Sequence, residues 1–263
     1  MSHSRFIRTS RAVLAAAVAV ATTVGLVVAP TAPAGAAPAK DPVIIVGGMA
    51  TGPITDAVYL PLQARLRSAG YTVEIWSMPD YGLGDIHANA ARLNTFADSF
   101  RARTGAAKVD LVGHSMGGLV SRDYVKTLGG ATEVDSLITL GTPNYGTAVA
   151  SLANFFLLGN CLTITGCKQM TLGSSYLNAL NAGDDSIGAV RYTNITTVND
   201  ELVLPHTSGY LTASDGNITN VTIQKQCLLR LVGHVALATD GTTADGILDA
   251  LRGETVRLNC WAL

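Results

Sequence analysis

The chain predicts an α/β fold, a mostly parallel sheet of about six strands with helices on both faces. Three observations predict it. Short runs rich in apolar and β-branched residues recur, such as Pro42–Val46, Tyr71–Trp76, Lys108–Val112 and Val134–Leu140. Stretches with apolar residues at helical spacing alternate with them, which is the signature of βαβ units. Glycines fall at the joints, as at Gly70 and Gly129-Gly130.

Taken in order, Pro42–Val46 reads as a short buried strand. Asp56–Ala69 reads as a helix stopped by Gly70, and Tyr71–Trp76 as the second strand. Asp85–Thr104 carries Ile86, Leu93, Phe96 and Phe100 at helical spacing. Lys108–Val112 is the next strand, Met116–Leu128 the next helix and Val134–Leu140 the strand after it. From Asn144 to Gly188 no clear strand is legible. Strands return near Val190–Val198 and Ile218–Gln224, and an amphipathic helix runs from about Thr243 to Leu251. No internal repeat and no linker divides this body, so residues 37–263 are expected to form a single domain.

Residues 1–36 read as a secretory signal peptide. Arg5, Arg8 and Arg11 precede a nearly unbroken apolar run from Ala12 to Ala29, and Ala34-Gly35-Ala36 is an A-x-A cleavage site. The run approaches the length of a membrane span, so an uncleaved anchor is the competing reading. No second such run follows, and no stable membrane insertion of the body is expected. Removing the leader takes away three arginines and no acid, which moves the formal charge from −1 to −4. A mildly acidic body has no electrostatic footprint for nucleic acid. A secreted, extracellular chain also makes disulfides of Cys161, Cys167, Cys227 and Cys260. Three pairings are possible. Cys161 with Cys167 would close a small loop, and Cys227 with Cys260 would pin the C-terminal tail beside the last strand. No spacing of Cys or His points to zinc, and no metal is expected.

The chemistry centres on Val109-Asp110-Leu111-Val112-Gly113-His114-Ser115-Met116-Gly117-Gly118. A bare G-x-S-x-G arises by chance in a chain of this length with a probability on the order of 0.1. Here a strand runs into it and a helix leaves it, which is the context of a nucleophile elbow. Ser115 is expected at the tip of a sharp turn, with Gly113 and Gly117 where a Cβ would collide with strand or helix.

A serine nucleophile needs a base, an orienting acid and donors for the developing oxyanion. Of five histidines, His3 lies in the leader, His87 precedes the elbow, and His114 is expected to point away from Ser115. His206 and His234 remain. His234 follows the last strand and is read as the base, with His206 shaping the rim. The acid should follow the strand Val190–Val198. Asp200 is the first carboxylate there, with Glu201 as its rival and Asp184 and Asp215 behind them. The loop Gly47-Gly48-Met49-Ala50-Thr51-Gly52 after the first strand should supply the second oxyanion donor, so the amides of Met49 and Met116 are the expected pair. Phe155, Phe156 and Leu157, with Leu158, form either a substrate-facing apolar wall or lid, or an ordinary core helix.

Pro42–Gly48, Gly113–Gly118, Asn199–Val203 and Gly233–Leu237 resemble the small secreted bacterial lipases of the α/β-hydrolase superfamily, the class 2 or Bacillus lipase A-like group with its actinomycete members. The elbow is shared across the superfamily. The Gly-His-x-x-Leu form at His234 and the Asp-x-x-Val form at Asp200 are more particular to this group. The resemblance implies hydrolysis of fatty-acid esters by Ser115, His234 and Asp200, with no cofactor, acting as a monomer on a lipid or ester substrate at a lipid–water interface. Two departures bear on substrate preference. Gly47-Gly48-Met49 stands where the group often has His-Gly-x, and the middle is longer than in minimal lidless lipases. A short-chain esterase or polyesterase on the same machinery is the alternative, and a non-catalytic binding protein of the same fold is the reading from a different class.

Overall fold

Six strands form one sheet in the order β2-β1-β3-β4-β5-β6, with every neighbouring pair parallel. They are β1 (Val43–Val46), β2 (Val73–Trp76), β3 (Val109–His114), β4 (Val134–Leu140), β5 (Arg191–Thr196) and β6 (Ile218–Thr222). The structure is a computed structural model and describes Met1 and residues 40–52, 55–148, 163–212 and 217–263. The expected leader, Phe155, Phe156, Leu157, Cys161 and Asp215 lie outside the described residues.

Alternation along β1 explains the two layers. Ile44 and Val46 join a core cluster with Leu93 and Phe100 of α2 (Ile86–Thr104) and Leu119 and Tyr124 of α3 (Met116–Thr127). Val43 and Ile45 face the other way, onto Leu62 and Leu66 of α1 (Leu60–Ser68) and Ile247 and Leu251 of the C-terminal helix Gly241–Leu251. A strand covered on both sides must be apolar at every position, and all four residues of β1 are buried.

Helix ends follow local chemistry. Asp85 caps α2 by accepting from the Ala88 amide at 2.8 Å, and Gly105 closes it in the left-handed region at φ 70°. The first helix departs from the expected Asp56–Ala69. Its opening, Thr55–Tyr59, is a 3₁₀ turn, and regular α-helix begins at Leu60 with Pro61 in its first turn. Proline lacks an N–H and is tolerated only where no intrahelical donor is needed. The expected strand Ile218–Gln224 likewise ends at Thr222, and Ile223–Gln226 turns into a short helix. Between Asn144 and Gly188 the described residues hold no strand, only a bridge between Thr147 and Thr171.

Cys227 and Cys260 are disulfide-bonded, with Cα atoms 5.3 Å apart, so the tail is pinned beside the end of β6. Cys167 is buried, and Cys161 is outside the described residues. No helix among the described residues is long and apolar enough to cross a membrane.

Candidate active site

The C-terminal edge of the sheet carries the site. β3 delivers Ser115 between strand and helix with φ 55° and ψ −127°, a backbone conformation that a residue with a Cβ rarely adopts. Two glycines make the turn sterically feasible. A Cβ on Gly113 would come 2.6 Å from the Gly118 Cα, and one on Gly117 would come 2.6 Å from the Gly47 carbonyl oxygen. Neither obstacle is a flexible side chain, so α3 can pack against β1 and β3 only without those atoms.

Asp200 lies in the loop after β5 and His234 in the loop beyond β6. Nδ1 of His234 is 3.0 Å from each carboxylate oxygen of Asp200, and both side chains are buried. A carboxylate only accepts, so Nδ1 donates and the lone pair of the neutral imidazole is on Nε2. The amides of Leu202 and Val203 donate to Oδ1 of Asp200 at 2.9 and 2.8 Å. Thr197 ties the two loops together by donating from its hydroxyl to the Val232 carbonyl at 2.7 Å. Glu201 takes a different part. Its carboxylate accepts from the backbone amide of His234 at 2.9 Å and so faces the main chain of that histidine, not its ring.

Ser115, His234, Gly48, Met49, Thr51, Tyr59, Leu202 and Val235 line one cavity of about 70 Å³. The loop after β1 closes over it. A Cβ on Gly48 would sit 3.1 Å from the Ser115 Cβ, so that loop lies directly against the serine. The amides of Gly47, Gly48, Ala50 and Thr51 donate to Trp76, Tyr59, Tyr81 and Gly48 respectively. The Met49 amide has no acceptor among the described residues, and neither has the Met116 amide at the first position of α3. Both are backbone donors left open beside the elbow, the Met116 amide as one of the first N–H groups of its helix.

His114, expected to point away from Ser115, bonds to Tyr59 and to the His234 carbonyl and lines the same cavity. Its ring centroid is 5.0 Å from that of His234. His206 lies in a 3₁₀ turn and packs edge-on against Tyr210. His87, half-exposed, contacts the Asp123 carboxylate at 3.1 Å on the helical layer. Sequence reasoning did not find Tyr59 or assign Glu201 its partner. Periodicity marks Tyr59 only as an apolar helix residue, and its hydroxyl acquires a role through a contact with Gly48, eleven residues away.

The family model for Lipase (class 2) matches residues 40–245. The chain belongs to the class 2 lipases. This class 2 lipase is 30% identical over 158 residues to a triacylglycerol lipase of Pseudarthrobacter phenanthrenivorans, covering 57% of this chain and 49% of that one. It spans about half the length of the curated triacylglycerol lipases it matches. Aspergillus fumigatus lipase B superimposes with a TM-score of 0.69 at 21% identity, over 85% of this chain and 55% of that one. Bacillus licheniformis lipase BlEst2 in its mature form gives 0.60 at 19% identity, over 83% and 94%. These likenesses make the fold an α/β-hydrolase fold, as the sequence predicts.

One acidic group sits apart from this site. Asp41, Asp110 and Asp135 bring carboxylate oxygens within 4.8 Å of one another at the opposite edge of the sheet, where β1, β3 and β4 begin. Burial raises Asp110 from the usual carboxylate value to about 7, against the opposing pull of the Ser136 side chain. The Ser136 amide also donates to its Oδ1 at 2.9 Å.

Proposed function

We propose that this lipase hydrolyses carboxylic esters of fatty acids, triacylglycerols among them, through an acyl-enzyme on Ser115. The observation that carries the reading is that Ser115, Met49 and His234 line one cavity, with Asp200 bonded to Nδ1 of that histidine and the Met49 amide without an acceptor among the described residues. The serine hydroxyl attacks the ester carbonyl carbon while Nε2 of His234 takes its proton. The carbonyl oxygen becomes an oxyanion facing the Met49 and Met116 amides. Collapse breaks the bond to the alcohol, which leaves with the proton from His234. Water then attacks the acyl-serine, gives a proton to His234, and collapse returns that proton to Ser115 as the fatty acid departs. Asp200 holds the imidazole in the tautomer this requires and offsets the charge it gains.

Export follows from the leader as read in the sequence, with a mature chain beginning near Ala37 and the Cys227–Cys260 disulfide consistent with an oxidising compartment. A substrate held at a lipid–water interface is supported by a second feature. Leu228, Leu229, Leu231 and Trp261 are 80–88% exposed, and the segments joined by the Cys227–Cys260 disulfide line a groove of about 440 Å³. An apolar surface of this kind, three residues upstream of His234, suits adsorption to lipid. The small volume beside Ser115 favours short acyl chains as the alternative.

The deciding experiment is hydrolysis of p-nitrophenyl esters from acetate to palmitate, and of emulsified triacylglycerol, by the protein and its Ser115→Ala variant. Long-chain and emulsion activity that vanishes in the variant supports the lipase reading. Activity confined to short esters makes it an esterase, and activity untouched by the substitution removes Ser115 from the mechanism.

A further inference from the structure

We propose that Tyr59 and His114 are positioning residues that join the oxyanion loop to the backbone of the general base through one directional chain of hydrogen bonds. The inference rests on the serine-hydrolase reading above.

The chain is fully assignable. His114 Nε2 lies 3.0 Å from the carbonyl oxygen of His234. A carbonyl only accepts, so the proton of the neutral ring is on Nε2 and Nδ1 is an acceptor. The Tyr59 hydroxyl is 3.0 Å from that Nδ1 and therefore donates to it. The same hydroxyl oxygen accepts from the Gly48 amide at 2.9 Å. The direction is thus Gly48 N–H to Tyr59 O–H to His114, and His114 to the main chain of His234. All of these contacts are buried.

The protonation states required are those the surroundings impose. Burial, reinforced by neighbouring His234, holds the His114 pKa down to about 3, against the opposing pull of the Asp200 charge and of the His234 carbonyl. Burial likewise raises Tyr59, with the Asp56 charge adding to it. Neither Tyr59 nor His114 changes charge where an ester hydrolase operates. The geometry also explains why these positions matter to the reaction. Gly48 is gripped on both sides, at its amide by Tyr59 and at its carbonyl by the Thr51 hydroxyl at 2.6 Å. The next amide, that of Met49, is the acceptor-free one. His114 ends β3, the strand that pairs with both β1 and β4, immediately before Ser115. A rigid strand thus references the loop that receives the oxyanion and the loop that carries the base to the nucleophile itself. Misplacement of such groups by even 1 Å costs on the order of 100-fold in rate.

The test is a set of variants, Tyr59→Phe, His114→Leu, His114→Gln and the double Tyr59→Phe/His114→Leu, assayed for kcat and KM beside Ser115→Ala. Tyr59→Phe keeps the ring and removes only the hydroxyl. It is expected to lower kcat by roughly 10- to 100-fold with KM within about twofold. The double variant should be no worse than His114→Leu alone, because both break one chain. His114→Gln should recover part of the His114→Leu loss, since its amide can donate to the His234 carbonyl. ¹⁵N NMR of the wild-type protein should show His114 as the Nε2–H tautomer with no titration between about pH 5 and 9. A folded Tyr59→Phe with wild-type kcat, losses that multiply in the double variant, or a His114 that titrates or carries its proton on Nδ1 would each overturn the proposal. If His114→Leu does not fold, Tyr59→Phe and the NMR measurement decide alone. An active Ser115→Ala overturns the serine reading and this inference with it, whereas a dead Ser115→Ala beside an unimpaired Tyr59→Phe overturns this inference only.

Discussion

Nδ1 of His234 is equidistant from the two carboxylate oxygens of Asp200, at 3.0 Å from each. The adjacent Glu201 holds the backbone amide of the same histidine at 2.9 Å. Two consecutive acids therefore fix one histidine, one through its ring and the other through its main chain.

That division of labour separates two variants. Asp200→Asn keeps an oxygen for the Leu202 and Val203 amides but no longer forces the Nδ1–H tautomer. It should fold normally and lose roughly 10⁴-fold in kcat. Glu201→Ala removes one backbone contact and should cost about tenfold, in line with the modest net worth of one hydrogen bond. Steady-state kinetics on a soluble ester, with circular dichroism as the folding control, checks both. An equal loss in the two variants would contradict the assignment.

Ser115 holds φ 55° without being glycine. Such strain costs on the order of 1–3 kcal/mol and is partly offset by the flexibility glycine brings to the unfolded chain. Ser115→Gly should therefore be inactive yet more stable by about 1 kcal/mol. Urea unfolding of the two proteins gives the answer, and a destabilised glycine variant would mean that the elbow is relaxed as it stands.

Asp110 has its folded-state pKa raised by burial to about 7 from 3.8. The folded protein then keeps a proton that the unfolded chain has lost, so stability falls as pH rises from about 4 to about 7 and is level above that. Each unit of the shift corresponds to about 1.4 kcal/mol. Asp110→Asn can still accept from the Ser136 amide and carries no charge. It should be the more stable protein at pH 8 and no better at pH 4, as read from urea midpoints at the two values.

The Cys227–Cys260 bridge spans a sequence separation of 33 residues. Closing a loop of that length restricts the unfolded chain enough to contribute about 3–4 kcal/mol. Replacing both cysteines by alanine should lower the melting temperature by several degrees while leaving kcat on a soluble short ester near wild type. A large loss of kcat in a folded variant would show that the bridge shapes the loops that carry Asp200 and His234.

Much of the fold is legible because it is written in short windows. Val-Ile-Ile-Val at β1 predicts a strand buried on both faces, and the apolar run into Gly113-His114-Ser115-Met116-Gly117 predicts strand, turn and helix within about ten residues. The order Ser115, Asp200, His234 is also readable, because parallel strands deliver successive loops to one edge. Element boundaries were less so, as at Thr55–Tyr59, where a 3₁₀ turn stands in place of the first turn of an α-helix.

The sequence by itself determined the α/β class, the elbow and the residues from which a nucleophile, base and acid can be drawn. Tertiary structure alone decided which atoms meet. The register that pairs Val46 with Gly113 brings Gly48 against Ser115, and the turn after it brings the Tyr59 hydroxyl within 3.0 Å of His114. Glu201 reaches the His234 amide only because the loops after β5 and β6 pack side by side. Local propensity and periodicity depend on neighbours a few residues away, whereas these contacts join residues 11 to 120 positions apart. They exist only once strand register and two-layer packing have removed the freedom of the chain between them.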